Sequence, residues 1–286
     1  MVSSGRFLFG MIGAVAALLL IAAPGARAQV WLDEAFPSRW LLGPDKAAGA
    51  IIWSHGRSID SEDSEVETPP YMETLRRGGW DVFRFNRMRA SDSLNASARE
   101  LAEEVHRLKQ QGYLRLAVAG QSFGAFLSLM AADASDEVDA VIATAPAAYG
   151  SFSDFSDGWR SNATKLYPLM QQVRRARVMV FYFHGDDFDP GGRGERSRDI
   201  LAARKLPYVV IDQPPLLTTH WAAASPEFDQ TFGACILGFL DAEQVADGAR
   251  CDGQAFWAGA TTMVELAPDA DAAASRGGGT RPTARN

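Results

Sequence analysis

Short apolar segments alternate with helical patterns through most of the chain, and this alternation limits the possible folds more than any other feature. Most segments are apolar on both faces and stop at a glycine or a proline, which is typical of strands inside a parallel sheet covered by helices. We therefore predict an α/β fold with a mostly parallel central sheet and helices on both faces. The predicted strands are residues 50–53, 80–85, LRLAVAG, VDAVIATAP, RVMVFYFHG and PYVVID.

Helical patterns fill most of the gaps between these strands. Leu94, Ala98, Leu101, Val105 and Leu108 recur at spacings of four and three, which places them on one face of an amphipathic helix. The segments AFLSLMAAD, ERSRDILAARK and FDQTFGACILGFL also predict helices. The stretch 147–177 is too long for an ordinary connection, so it predicts an insertion that contains some helix. Its aromatic residues either form a small cap over the site or pack the insertion onto the domain.

The two ends of the chain differ from the middle. Arg6, an apolar run over 7–23 and Ala26-Arg27-Ala28 predict a secretory signal peptide over residues 1–28. A membrane anchor is the alternative, but the run is shorter than roughly 20 residues and has no charged flank after it. We therefore expect a secreted or periplasmic protein without a stable membrane anchor. Residues 267–286 are polar and Gly-rich and predict a disordered tail, which leaves one domain over 29–266.

Charge and cysteine content narrow the partners and the compartment. The formal net charge is −7 and no run of Lys and Arg occurs, which argues against nucleic-acid binding. Cys235 and Cys251 are the two cysteines of the chain. In an oxidising compartment they predict a disulfide that contributes about 3 kcal/mol, the alternative being two separately buried thiols.

The five residues 120–124, Gly-Gln-Ser-Phe-Gly, stand between a predicted strand and a predicted helix. A G-x-S-x-G match alone is a weak signal, but this strand–turn–helix setting is that of a nucleophilic serine on a strained turn. The flanking glycines are needed because the strand and the helix approach each other closely there. A turn that needs only small residues would not require this setting, so Ser122 is the candidate nucleophile.

With this motif the sequence resembles the α/β-hydrolase superfamily over roughly residues 45–242. The His-Gly turn at 55–56, the serine motif, the acidic turn FHGDDFDPGG and the late His220 follow one another in that family's order. The dienelactone-hydrolase-like group and the small secreted esterases look nearest. The resemblance implies the α/β-hydrolase fold, a Ser-Asp-His triad and no cofactor. A metal site is not expected either, because the sequence contains no HExxH or CxxC spacing.

His220 is the candidate general base among the four histidines. It lies on a loop after the last predicted strand, where the fold brings the base over the serine. His106 is next to the apolar stripe of its helix and is expected on the solvated surface. His55 and His184 each precede a glycine at a strand end, a position that is usually structural in this family.

The triad acid is one of three aspartates. In the family pattern, His-Gly is followed by two further residues and then Asp; that position holds Phe188 here, so this chain departs from the pattern. We predict Asp189, which precedes a proline and a helix, with Asp187 as the second choice. Asp186 and the remaining aspartate are then expected to be solvated turn residues.

Two backbone amides are predicted to form the oxyanion hole. One is the N–H of Phe123, directly after the nucleophile, and the other is the N–H of Arg57 in the turn SHGRS. The guanidinium of Arg57 either pairs with an anionic group of the substrate or is solvated.

The sequence thus predicts a secreted serine hydrolase that cleaves small-molecule carboxylic esters through an acyl-enzyme on Ser122. A peptidase or thioesterase of the same fold, and a non-catalytic binding protein on a hydrolase scaffold, are the alternatives. Oligomeric state and acyl chain length are not encoded in any motif.

Overall fold

The computed structural model describes residues 30–36, 40–58, 61–151 and 157–259, and within them a central sheet organises the chain. Seven of the described strands belong to that sheet. They are β1 (Val30–Glu34), β2 (Gly49–Ser54), β3 (Trp80–Arg87), β4 (Leu116–Gln121), β5 (Ala140–Thr144), β6 (Arg177–Tyr182) and β7 (Tyr208–Asp212).

The strands are arranged in the order β1-β3-β2-β4-β5-β6-β7, and every pair is parallel except β1 with β3. The predicted fold class is confirmed. The six parallel strands place their carboxyl ends along one edge, which is where ligands bind in sheets of this kind. The His-Gly turn, the serine motif and the acidic turn of the sequence follow β2, β4 and β6 at this edge.

Helices cover both faces of the sheet. One face is covered by α2 (Leu94–Gln110), α3 (Phe123–Ala134), α5 (Leu166–Gln172) and α6 (Arg193–Ala203), and the other by α1 (Pro70–Arg77) and α7 (Pro226–Asp241). The remaining described helix is the short α4 (Trp159–Ala163). α2 buries the predicted stripe residues Ala98, Leu101, Val105 and Leu108, and the Ser93 side chain caps its first turn.

Some elements lack the signals on which the sequence prediction relied. β1 is a half-buried antiparallel edge strand, so it carries no continuous apolar run. α1 begins directly after Pro69 with Pro70 at its first position. The hairpin of β8 (Arg250–Asp252) and β9 (Ala255–Trp257) is too short to show a period.

The stretch 147–177 contains the crossover from β5 to β6. Its helix α5 lies between α3 and α6, and Leu166 and Met170 are buried in the core on that face. Tyr149 contacts the Phe126 ring edge-on with ring centroids 6.0 Å apart. Packing onto the domain is therefore one role of this stretch. Phe152 and Phe155 of the expected cap lie outside the described residues.

The predicted disulfide is confirmed. Cys235 in α7 is bonded to Cys251 in β8, with the two Cα atoms 5.9 Å apart. Because Cys235 is fully buried, the bond fixes the β8–β9 hairpin to the core. The predicted signal peptide and C-terminal tail lie outside the described residues. Within the described ranges, every helix is too short or too polar to cross a lipid bilayer.

Candidate active site

The turn at residues 120–124, here called the elbow, joins β4 to α3 as the motif predicts. Ser122 takes φ 57° and ψ −117°, a strained region for a residue with a side chain. A Cβ on Gly120 would lie 2.2 Å from the backbone of Gly124, and one on Gly124 would lie 2.1 Å from the Ser54 carbonyl oxygen. Both glycines are therefore required for β2, β4 and α3 to approach this closely.

Phe123 is the first residue of α3. The first N–H groups of a helix have no partner within the helix, and the helix dipole adds positive potential at that end. The Gly56 turn lies beside it, since a Cβ on Gly56 would be 3.4 Å from the Ser122 Cβ. The Arg57 guanidinium lies over the Phe123 ring, 5.6 Å from its centroid. The structure thus places the Gly56 turn and the Arg57 side chain next to the elbow.

His220 lies at the same edge of the sheet and is buried, with 5 % of its surface exposed. The side-chain amide of Gln121 donates a hydrogen bond of 3.2 Å to the His220 carbonyl oxygen, which ties the histidine loop to the elbow. The Ser122 hydroxyl donates to the Ala147 carbonyl oxygen at 3.5 Å. Among the described residues, the buried His220 Nε2 has no hydrogen-bond partner, so this nitrogen is free to accept a further hydrogen bond.

Asp186 is the acid that contacts His220. Its Oδ1 lies 2.9 Å from His220 Nδ1, and its side chain is fully buried. Phe188 N–H donates to the same carboxylate at 2.9 Å, and Asp189 N–H donates to the Asp186 carbonyl oxygen at 2.9 Å. These two bonds close a tight turn that holds the first aspartate against the imidazole.

The predictions of Asp189 and of Asp187 as the partner of His220 are therefore corrected. Asp189 accepts hydrogen bonds from Arg193 Nε at 3.0 Å and from Gly191 N–H at 2.8 Å. Arg193 in turn donates to the Pro146 carbonyl oxygen at 2.8 Å, so this buried pair links α6 to the end of β5. Asp187 is exposed. Asp186 is buried, contrary to the expectation that it is a solvated turn residue.

Two aromatic rings enclose His220 that the sequence gave no reason to select. The Phe188 ring lies 4.1 Å from the imidazole centroid at a tilt of 32°, and the Trp221 ring lies 5.4 Å away, edge-on. Trp221 is 62 % exposed. Their neighbours in sequence, Asp187 and His220, are polar, so no apolar period marks either ring.

His55 stabilises the Gly56 turn. Its Nδ1–H donates to the Gly56 carbonyl oxygen at 2.7 Å, and its Nε2 accepts from Arg87 N–H at 3.1 Å. Burial, together with the positive charge of Arg87, lowers the pKa of His55 to about 3. His55 is therefore a neutral structural residue, as its position before a glycine predicted.

Arg87 is a supporting residue that the sequence did not reveal. Its guanidinium is fully buried, pairs with Asp92 at 3.0 Å, and donates to the carbonyl oxygens of His55 at 2.6 Å and Gly56 at 2.9 Å. These bonds fix the turn that precedes Arg57. An arginine at the end of an apolar strand was the only signal for this role.

The other two histidines are solvent-exposed. His106 is exposed, as predicted, and its Nδ1 lies 3.0 Å from a Glu137 carboxylate oxygen. His184 is exposed and pairs through its backbone with Thr218. In the part of the chain that the structure describes, no three His, Cys, Asp or Glu side chains are close enough to hold a metal ion.

Comparisons with known proteins add information on the fold. No protein-family model matches the sequence, and a search of curated proteins found no match. An esterase from Pyrococcus furiosus is similar in structure, with a TM-score of 0.50 and 16 % identity over 69 % of this chain and 84 % of its own. A monoacylglycerol lipase from Paleococcus ferrophilus gives a TM-score of 0.51 and 14 % identity over 75 % of this chain and 98 % of its own.

An acylaminoacyl peptidase gives a TM-score of 0.55 with 14 % identity, over 77 % of this chain and 41 % of its own. This chain thus corresponds to less than half of that peptidase. Identities this low establish a common fold and leave the substrate open.

Proposed function

Since this protein has the α/β-hydrolase fold, we propose that it is a serine hydrolase that cleaves carboxylic esters through an acyl-enzyme on Ser122. The observation that carries the proposal is the contact between Asp186 and His220 beside a serine at φ 57°. A buried carboxylate on Nδ1 holds the imidazole in one tautomer, with its proton on Nδ1 and the lone pair on Nε2. Acyl transfer needs such a lone pair to take the proton of the serine hydroxyl.

In the proposed reaction, Ser122 Oγ attacks the ester carbonyl carbon while His220 Nε2 takes the hydroxyl proton. The negative oxygen of the tetrahedral intermediate accepts hydrogen bonds from the amides of Phe123 and Arg57. His220 then returns the proton to the leaving alcohol. Water, activated by the same nitrogen, releases the acid and restores Ser122.

The hydrogen bond between Ser122 and His220 forms in the substrate complex under this proposal. In the structure the Ser122 hydroxyl instead contacts the Ala147 carbonyl oxygen at the long distance of 3.5 Å. Hydrogen bonds of this type often tighten only when substrate is present. The unpartnered Nε2 of His220 supports the same step, since a buried acceptor without a partner is costly.

Ser122→Ala tests the proposal. Wild type is expected to react with a fluorophosphonate probe and to hydrolyse 4-nitrophenyl butanoate. The variant is expected to lose labelling and at least about 10³-fold in kcat/KM. A control variant, Ser128→Ala, removes another buried serine hydroxyl, one that bonds only within α3 to Gly124. A folded wild type that is neither labelled nor active on any short ester would contradict the proposal and favour a binding protein.

Peptide-bond cleavage is the second candidate. It is suggested by the acylaminoacyl peptidase, which has a similar fold with a TM-score of 0.55. Peptide amides and esters use the same nucleophile and oxyanion donors. Parallel assays with an acylated amino-acid 4-nitroanilide and the matching 4-nitrophenyl ester separate the two, because an esterase turns over only the ester at an appreciable rate.

Export to an oxidising compartment is part of the proposal. The disulfide between Cys235 and Cys251 supports it, because such bonds persist mainly outside reducing compartments. Expression of the full chain with a reporter enzyme fused to its C-terminus tests it. Reporter activity outside the cytoplasm and loss of residues 1–28 from the mature protein are the expected results.

A further inference from the structure

A cavity of about 60 Å³ lies beside the elbow, on the side of the sheet covered by α1 and α7. Gly56 and Gln121, both adjacent to Ser122 in space, form part of its wall, and so does Trp221, which follows His220. The cavity is therefore within reach of a molecule whose carbonyl is held at Ser122. The residues proposed to act on that carbonyl, Ser122, His220, Phe123 and Arg57, do not themselves line the cavity.

Two buried side chains of the wall carry polar groups without partners. Trp53 is 3 % exposed and Tyr71 is fully buried. Among the described residues, neither the Trp53 indole N–H nor the Tyr71 hydroxyl has a hydrogen-bond partner. Leaving such a group unsatisfied costs about 1–3 kcal/mol, so two together at one cavity call for a partner, either water or a ligand group that displaces it.

Both groups are hydrogen-bond donors at neutral pH. An indole N–H donates only. Burial raises the pKa of Tyr71 well above its ordinary value, so its hydroxyl keeps its proton. The complementary group on a ligand is therefore an acceptor.

Size and charge restrict that acceptor further. The cavity volume is close to the liquid volume of two water molecules, which leaves room for about two or three non-hydrogen atoms. Asp63 and Glu67 also line the cavity, and their carboxylates disfavour an anionic group. What remains is a short neutral arm with an ether or carbonyl oxygen.

We propose that this cavity is a substrate subsite that takes a short, neutral, oxygen-bearing arm of the ester, an alkoxy or oxo group that accepts hydrogen bonds from Trp53 and Tyr71. The inference rests on the proposed function, because the arm belongs to the ester that Ser122 attacks. It narrows the substrates to esters of small alkoxy or oxo acids or alcohols. The arm is carried by either the acyl or the alcohol part of the ester.

Matched ester pairs test this subsite. On the acyl side, 4-nitrophenyl methoxyacetate is compared with 4-nitrophenyl butanoate, in which a methylene replaces the ether oxygen. On the alcohol side, 2-methoxyethyl acetate is compared with butyl acetate. The quantity measured is the ratio of kcat/KM within each pair, in wild type and in Tyr71→Phe. Comparison between variants cancels the intrinsic reactivity of the esters.

Tyr71→Phe is expected to lower the ether-to-methylene ratio by about 3- to 10-fold in one pair, the effect of one neutral hydrogen bond. The pair that responds identifies the part of the ester that carries the arm. Trp53→Phe is expected to lower the same ratio. Tyr71→Phe is also expected to fold with undiminished stability, because the hydroxyl that it removes has no partner in the free protein.

Tyr182→Phe is the matched control. Tyr182 is equally buried, but its hydroxyl is hydrogen-bonded to Ser197 Oγ at 2.7 Å. This variant is expected to leave both ratios unchanged and to be less stable than wild type. If Tyr71→Phe changes neither ratio while all four esters are hydrolysed, the subsite is disproved and the proposed function stands. If wild type neither reacts with a fluorophosphonate nor hydrolyses any ester, both fail together.

Discussion

The elbow after β4 and the acidic turn after β6, residues 184–190, lie at the same edge of the sheet but differ in what fixes them. At the elbow the contacts are between backbones: Gly120 against Gly124, and Gly124 against the Ser54 carbonyl. In the acidic turn the decisive contact joins two side chains, Asp186 and His220, which are 34 residues apart. At the elbow, close backbone contacts require glycine at fixed positions, and this requirement is visible in the local sequence. In the acidic turn, the aspartate that acts is determined by the position of an imidazole that is distant in sequence.

The strongest test of this comparison is Asp186→Asn. An asparagine in place of the carboxylate no longer holds the tautomer of His220 or stabilises the imidazolium. We expect kcat for 4-nitrophenyl butanoate to fall about 10⁴-fold. Steady-state kinetics at neutral pH measures the loss, and Asp187→Asn, at the exposed neighbouring position, is the control. Retention of activity in Asp186→Asn would show that the acid lies elsewhere.

Asp189→Asn is expected to act on stability. Asp189 and Arg193 have side chains that are 4 % and 1 % exposed, and removal of the carboxylate leaves the guanidinium buried without its counter-charge. We expect a loss of about 3–5 kcal/mol in the free energy of unfolding, measured by urea denaturation. Activity per folded molecule should remain close to that of wild type. An unchanged stability together with lost activity would reverse the assignment of the two aspartates.

Replacing one glycine of each turn by alanine compares how closely the two backbones are packed. In Gly124→Ala the new Cβ meets the Ser54 carbonyl oxygen at 2.1 Å, and we expect destabilisation of about 3 kcal/mol or more with loss of activity. In Gly185→Ala nothing lies within 4 Å, and the cost is the left-handed φ of 68°, about 1–2 kcal/mol. Thermal and urea unfolding of both variants gives the two values. Equal losses would mean that close packing is not what distinguishes the elbow.

His55 is expected to give a pH dependence of stability. Its pKa is about 3 in the folded protein and 6.5 as the ordinary value, so between these pH values the unfolded chain binds a proton that the folded protein does not. The free energy of unfolding therefore keeps its full value with respect to His55 above pH 6.5. It falls as the pH drops towards 3, by at most about 1.4 kcal/mol per pH unit. His55→Asn keeps a donor for the Gly56 carbonyl oxygen and should show a shallower slope. Identical slopes from urea unfolding at several pH values would contradict this.

Much of the site was predictable because its signals are local. The elbow needs glycine at two fixed positions, and the strands of a parallel sheet need continuous apolar residues, so Ser122 and the fold class follow from short segments. His220 followed from chain order and from the poorer fit of His55, His106 and His184. The disulfide was predictable because the chain contains two cysteines, which allow a single pairing. Arg87, Phe188 and Trp221 act through contacts made across the sheet edge, and no spacing in the sequence marks them.

The sequence by itself determined the parallel sheet, the strained serine at residue 122 and the pairing of Cys235 with Cys251, because each depends on backbone sterics, burial of apolar surface or a single available partner. Only the tertiary structure decided which aspartate meets His220. The turn after β6 is closed by the Phe188 and Asp189 amides, which point Asp186 at the imidazole and leave Asp189 to Arg193. Three carboxylates within four residues are chemically equivalent until the fold places different cations and donors beside them.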